Sequence, residues 1–164
     1  MTNNSDCWCT PNELFAQLHQ RFHFGIDLCA TKENSKCILF CRDYLKNEVS
    51  SIYDEMNYSS FKVYIKQNLL YKNTCFMNPP YSNPKPFIKK AWDDSRYGVI
   101  VCLIKCDTST KTWGIFYDYE QQKPKPGCKI EYFSKRIKFI HPTKSSSSGP
   151  SFPSALIIMD RRNV

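Results

Sequence analysis

Residues 74–105 read TCFMNPPYSNPKPFIKKAWDDSRYGVIVCLIK. The run Thr74–Met77 is short and apolar, as a strand is, and it stops at two successive prolines that cannot donate to a ladder. Beyond them Phe87, Ile88, Ala91 and Trp92 recur at helical spacing, which predicts a helix over Pro86–Ser95. Gly98–Lys105 is a continuous β-branched and apolar run, the pattern of a strand covered on both faces in a parallel sheet. Strand, helix and buried strand in succession predict an α/β fold: a compact, open, mostly parallel sheet with helices on both faces.

Upstream, Thr10-Pro11-Asn12-Glu13 reads as a helix start, with Thr10 as N-cap, Pro11 at the first helical position and Glu13 completing a capping box. Leu14, Phe15, Leu18 and Phe22 share one face and carry the helix to about Arg21. Phe24–Ala30 predicts a short buried strand ending at Asp27, and Lys36–Leu45 a second strand with Asp43 just past it. Residues 46–73 mix Lys, Tyr, Asn and Ser around one alternating run, FKVYIKQ, and fit neither template; they read as a basic insertion. Downstream, residues 109–119 suit a helix and 121–127 a loop. KIEYF, RIKFI and PSALIIM read as three closing strands, with a Ser-rich loop over 142–151 before the last. Neither a repeat nor a linker divides the chain, so one domain over residues 1–164 is expected.

No stretch approaches the ~18 apolar residues of a membrane span, and Met1–Asp6 lacks the basic-then-apolar order of a secretory signal. The expectation is a cytoplasmic protein. Lys plus Arg number 23 against 15 Asp plus Glu, a formal charge of +8, which favours a polyanionic partner such as nucleic acid through counterion release. Nine cysteines would suggest disulfides in a secreted chain. The number is odd, however, and Cys75 and Cys102 lie in apolar runs where a thiol acts as a small hydrophobe, so they are read as reduced. The spacings Cys7…Cys9, Cys37…Cys41 and Cys102…Cys106 do not form the paired knuckles of structural zinc, and no metal is expected.

The quartet Asn78-Pro79-Pro80-Tyr81 lies where a strand of an open parallel sheet ends, and ligands of such sheets bind beyond the carboxyl ends of the strands. Proline after Asn78 holds that residue extended, and the two prolines stiffen the bend while removing two N–H donors. Two acceptors remain, the Asn78 side-chain oxygen and the Pro79 carbonyl. Such a pair suits an amino group on an aromatic ring: drawing on both N–H bonds lets the nitrogen pyramidalise and turn its lone pair toward an electrophile. Tyr81 offers a flat face for the ring, a contact worth about 1–3 kcal/mol per base in single-strand binders. A plain proline-rich turn after a buried strand has the same four residues.

Together, WCTPNELF, FGIDLCATKENSKC, DYL, CFMNPPYS, FIKKA and RIKFI…FPSALII, in that order along most of the chain, resemble the phage-type DNA adenine-N6 methyltransferases, a Dam-like family dependent on S-adenosylmethionine. The resemblance implies a Rossmann-like methyltransferase fold. It implies that Trp8, Thr10 and Pro11 line the methionine end of the cofactor. Asp27 and Ala30 match the stretch standing in for the usual glycine-rich loop, and Asp43 the acid near the cofactor's adenine. Asn78, Pro79, Pro80 and Tyr81 match the catalytic quartet, with Phe152 holding the target base from its other side. Read from the residues alone, Thr10 and Pro11 are also a helix cap, Asp43 a surface charge beside Arg42, and Trp8 and Phe152 equally core.

The implied reaction is methyl transfer to adenine N6 in DNA, with the base flipped out of the stack. Residues 46–73 and the loop 121–127 are the expected places for DNA contacts. An RNA adenine or a protein glutamine as acceptor, and a non-catalytic nucleic-acid binder on the same scaffold, stay open at this point.

Overall fold

The computed structural model describes residue 6 and residues 8–46, 48–51, 74–141 and 152–164. Most of the expected basic insertion, including FKVYIKQ, and the Ser-rich loop 142–151 lie outside the described residues.

Helix α1 (Asn12–Phe22) leads into β1 (Phe24–Asp27); β2 (Leu39–Asp43), a 3-10 turn (Tyr44–Lys46) and β3 (Glu48–Ser51) follow. After β4 (Thr74–Met77) come α2 (Lys85–Asp94), β5 (Ile100–Lys105), a second 3-10 turn (Trp113–Ile115), the short β6 (Tyr117–Asp118) and β7 (Lys123–Pro124), then β8 (Cys128–Tyr132) and β9 (Ser154–Met159). Seven strands form one sheet in the order β3-β2-β1-β4-β5-β9-β8. The central four, β2, β1, β4 and β5, are mutually parallel. β3, β9 and β8 join by antiparallel pairing. Five strands therefore point one way and only β3 and β9 the other.

Each face of the sheet carries its own apolar layer. Ile88 and Ala91 of α2 pack with Ile26, Cys75, Met77, Ile100 and Cys102 on one face. Phe15 and Leu18 of α1 pack with Phe24, Phe76, Val101 and Leu103 on the other. In β4 and β5 the assignment alternates residue by residue, as the pleat requires. In β1 it does not, because Phe24 opposes Thr74 while Ile26 already opposes Cys75, an extra residue on β1. That bulge turns Phe24 toward α1 and Ile26 toward α2, and so leaves Asp27 beside Phe76 on the α1 side.

Several local expectations need correction. α1 starts at Asn12 with Pro11 as its N-cap and no side-chain cap hydrogen bond, so the capping box does not form. Thr10 is instead buried. Asp43 is the last residue of β2, not a residue beyond it. Residues 109–119 do not form a helix: one 3-10 turn buries Trp113 and Phe116 edge to face, centroids 5.1 Å apart, and an i, i+3 apolar pair satisfies that turn as well as a helix. The loop 121–127 contains β7, which closes a two-stranded ribbon with β6. Gly127, at φ 77°, ends it where a Cβ would come within 2.7 Å of the Asp160 carbonyl. Among the described residues RIKFI joins no sheet, and its one bridge there links Ile140 to Cys9.

Candidate active site

The carboxyl ends of β1 and β4 lie side by side, Asp27 opposite Phe76 with the Leu28 N–H donating to the Phe76 carbonyl at 2.8 Å. Asn78 is two residues further along β4's direction, on the same side as Asp27. Trp8, Cys9 and Thr10 lie across this edge, and together with Asp27, Phe76 and Asn78 they enclose a cleft. Two chain segments meet there because each is tied down from both directions. Cys9 and Ile140 exchange backbone hydrogen bonds of 2.8 and 3.0 Å, and Trp8 stands edge-on to His141 at 4.9 Å. Asp6 accepts from the Ser82 N–H at 2.9 Å and from its hydroxyl at 2.6 Å, which fastens the N-terminal segment to the far side of the quartet.

Asp27 is 3% exposed. Burial pushes its carboxyl up to about 6, against the restraining N–H bonds from Lys36 and Cys29, which donate at 3.2 and 3.3 Å. An acid raised this far by desolvation is held ready for a cationic or hydrogen-donating ligand. Asn78 has the complementary feature. Its amide nitrogen reaches the Trp8 carbonyl at 3.5 Å, whereas its Oδ1 is buried and accepts no hydrogen bond among the described residues. A buried acceptor without a donor costs about 1–3 kcal/mol, a cost that a ligand N–H would remove. The neighbouring Pro79 and Pro80 contribute no N–H that could fill the role.

Tyr81 turns to a second, larger cleft of about 210 Å³, lined also by Lys105, Asp107, Thr110, Thr112 and Trp113. Its ring meets Phe152 at 5.0 Å and Phe139 at 5.8 Å, both edge to face. Its hydroxyl is buried without a hydrogen-bond partner among the described residues, and burial pushes the phenol up. Lys105 and Asp107 pair at 3.2 Å on the cleft's rim. The Tyr81 and Phe152 rings touch each other here and leave no slot between them.

Of the residues singled out from the sequence, Trp8, Thr10, Asp27 and Asn78 come together in the first cleft. Pro11 and Ala30 follow the lining residues Thr10 and Cys29 in the chain but do not themselves line it, and the Ala30 N–H is engaged by the Cys41 carbonyl. Asp43 shares the carboxyl edge but is ion-paired with Lys46 at 3.0 Å, which holds its carboxyl below the usual range. Asp6, Cys29, Asn34 and Lys36 line the first cleft without having been expected there. Cys29 and Lys36 are set beside Asp27 by their own backbone N–H bonds to its carboxylate, a loop closure with no periodic signature. Lys105, the last residue of β5, and Asp107 just beyond it were legible by position, since parallel strands open their clefts at that end.

The fold and site define an α/β protein whose parallel strands end at two clefts, one with a buried acid and an amide acceptor that is unsatisfied among the described residues. The chain belongs to the DNA N-6-adenine-methyltransferase (Dam) family, whose model matches residues 1–163. It is similar to a DNA N-6-adenine-methyltransferase of Haemophilus phage HP1, 32% identical over 117 residues, covering 66% of this chain and 55% of that protein. It is also similar to a DNA N-6-adenine-methyltransferase of Escherichia phage T1, 30% identical over 107 residues, covering 64% of this chain and 38% of that protein. The matched part thus spans about half or less of each relative. No helix among the described residues is long and apolar enough to cross a membrane.

Proposed function

We propose that this chain is a Rossmann-like, S-adenosylmethionine-dependent methyltransferase acting on the exocyclic N6 of adenine in DNA. The observation that carries the reading is the Asn78 Oδ1, buried and without a donor among the described residues, at the carboxyl end of a central parallel strand beside the buried Asp27 carboxylate. The residues fit the cofactor's chemistry: Asp27 supplies an acceptor for its ammonium or ribose hydroxyls, and Trp8 and Thr10 supply apolar and polar walls. When bound, S-adenosylmethionine supplies an activated methyl group.

The protein's own part is acceptance and positioning. Asn78 Oδ1 and the Pro79 carbonyl accept the two N–H bonds of the target amine, which localises its lone pair, and Pro80 keeps the bend stiff. Tyr81 borders the larger cleft, whose room and polar rim support seating a flipped base there, at an extrusion cost of a few kcal/mol. Holding the reacting groups at near-attack distance can lower the barrier by about 7–11 kcal/mol. The first cleft is about 40 Å³, against the roughly 300–1,000 Å³ of small-molecule sites. The first cleft as it stands therefore admits part of a cofactor, and widening it at the Trp8–Thr10 wall means loosening the Cys9–Ile140 backbone bonds and the Asp6–Ser82 bonds that hold that wall.

The test is calorimetry with S-adenosylmethionine together with nuclease protection of a methylated duplex, on the wild type and Asn78→Ala. The wild type should bind cofactor and protect the duplex. Asn78→Ala should lose about 10²-fold or more in turnover, the scale of a removed transition-state hydrogen bond, with cofactor affinity changed far less. Equal losses in both would contradict the role given to the amide.

A further inference from the structure

Residues 135–138, Lys-Arg-Ile-Lys, lead from a bend at Ser134 and Lys135 into a segment that the cleft and the sheet leave unexplained. β8 runs in the same sense as β4 and β5, so the chain leaving Tyr132 emerges at the edge where the quartet lies. From there burial alternates: Ile137 and Phe139 are buried, whereas Arg136, Lys138 and Ile140 are exposed. The inward pair packs into the α1 face, and Phe139 meets the Tyr81 ring at 5.8 Å. The outward residues form a strip beside the quartet, anchored at its far end by the two Cys9–Ile140 backbone bonds.

The strip is the densest run of cations among the described residues, three in four positions. Lys135, Arg136 and Lys138 have no ion pair among those residues, a state they share with scattered cations such as Lys32, Arg42 and Lys111, but only here do such cations stand together beside the quartet. Lys125, in the loop first expected to touch DNA, is instead bound to the Gly114 and Ile115 carbonyls at 2.7 and 3.1 Å. Arg136 and Lys138 are alternate residues of an extended chain, hence about 6.6 Å apart on one face, where like charges repel unless a polyanion lies over them.

We infer that the outward face of residues 135–138 is a phosphate-binding strip that holds the backbone of the DNA substrate next to the quartet. Phe139 links the two: its ring bears on Tyr81 while its neighbours in the chain face the polyanion, so the strip sets where the backbone runs relative to the cleft. The inference deepens the proposed function and rests on it for the identity of the polyanion. A strip of this kind is indifferent to base identity, so it adds affinity and register and leaves sequence choice to other residues.

The experiment is a fluorescence-anisotropy titration of a short labelled duplex at several salt concentrations, with wild type, Arg136→Gln/Lys138→Gln, and Lys89→Gln on α2 as control. Loss of two phosphate contacts should make the slope of log affinity against log salt shallower by about 1.8. The double variant should show this with unchanged S-adenosylmethionine affinity, and Lys89→Gln should match wild type. A double variant that keeps the wild-type slope overturns the strip, even if the wild type methylates DNA. A wild type with no salt-dependent DNA binding overturns it too. A slope that falls as expected in a protein that never transfers methyl supports the strip and removes the proposed function instead.

Discussion

Asp27 has two opposed requirements placed on one carboxyl. Burial raises it to about 6, from an ordinary value near 4. The folded chain therefore holds a proton there that the unfolded chain releases, and this group's contribution to stability is full below about pH 4 and is lost as pH rises through 6. Keeping that acid ionised in the cleft at neutral pH costs roughly 3 kcal/mol, a cost that its N–H bonds from Lys36 and Cys29 reduce without removing. A cationic ligand beside it reverses the balance. S-adenosylmethionine affinity is expected to fall about tenfold between pH 7 and pH 5 as the carboxyl becomes protonated. In Asp27→Asn the calorimetric profile should be flat over that window; a pH-independent wild type would show that the acid does not face the cofactor. Asn78 is the simpler partner, since its amide does not titrate and its unsatisfied oxygen is equally available across the range.

At the scale of elements, the quartet depends on how α2 is held. The Tyr44 hydroxyl donates to Asp94 Oδ2 at 2.8 Å, and the Lys90 ammonium pairs with the same oxygen at 2.7 Å. This buried knot ties the 3-10 turn after β2 to the last turn of α2, and Lys90 also lies 4.7 Å from the Tyr44 ring centre. Asp94→Ala would leave a phenol and an ammonium without their shared acceptor. It is expected to cost about 3 kcal/mol, read as a lowered denaturant midpoint at unchanged slope. The elements also show what a local pattern can carry. TCFM and FGID lie within single strands because a short apolar run between turn residues has few other solutions. In RIKFI the alternation is real, since Ile137 and Phe139 are buried, yet the pattern reports a half-buried extended chain and cannot say whether a ladder partner exists. Thr10-Pro11 is similar: the cap motif was sound chemistry, but burial of Thr10 against the cleft removed its side chain from the helix end.

For the whole molecule, charge and thiols set the conditions under which it works. The net +8 is unevenly distributed: among the described residues seven cations are ion-paired, and Lys135, Arg136 and Lys138 are the cluster of those that are not. Cys29, Cys37, Cys41, Cys102, Cys106 and Cys128 are free thiols. Burial drives Cys37 and Cys128 up to about 12 and raises Cys29, Cys75 and Cys102 well above the usual thiol value, which makes them poor nucleophiles. Thermal unfolding should accordingly give the same midpoint with and without a thiol reductant, and a lower midpoint under reduction would reveal a disulfide. The amino-acid order alone determined the α/β class, the strand leading into the quartet and the apolar character of the core, because these follow from periodicity and from proline's missing N–H. Only the tertiary structure decided that β9 inserts between β5 and β8, that a bulge in β1 turns Asp27 toward Asn78, and that Phe139 brings a basic strip to Tyr81. Those outcomes depend on which distant segments share a face, and that is settled by packing the two sides of one sheet at once.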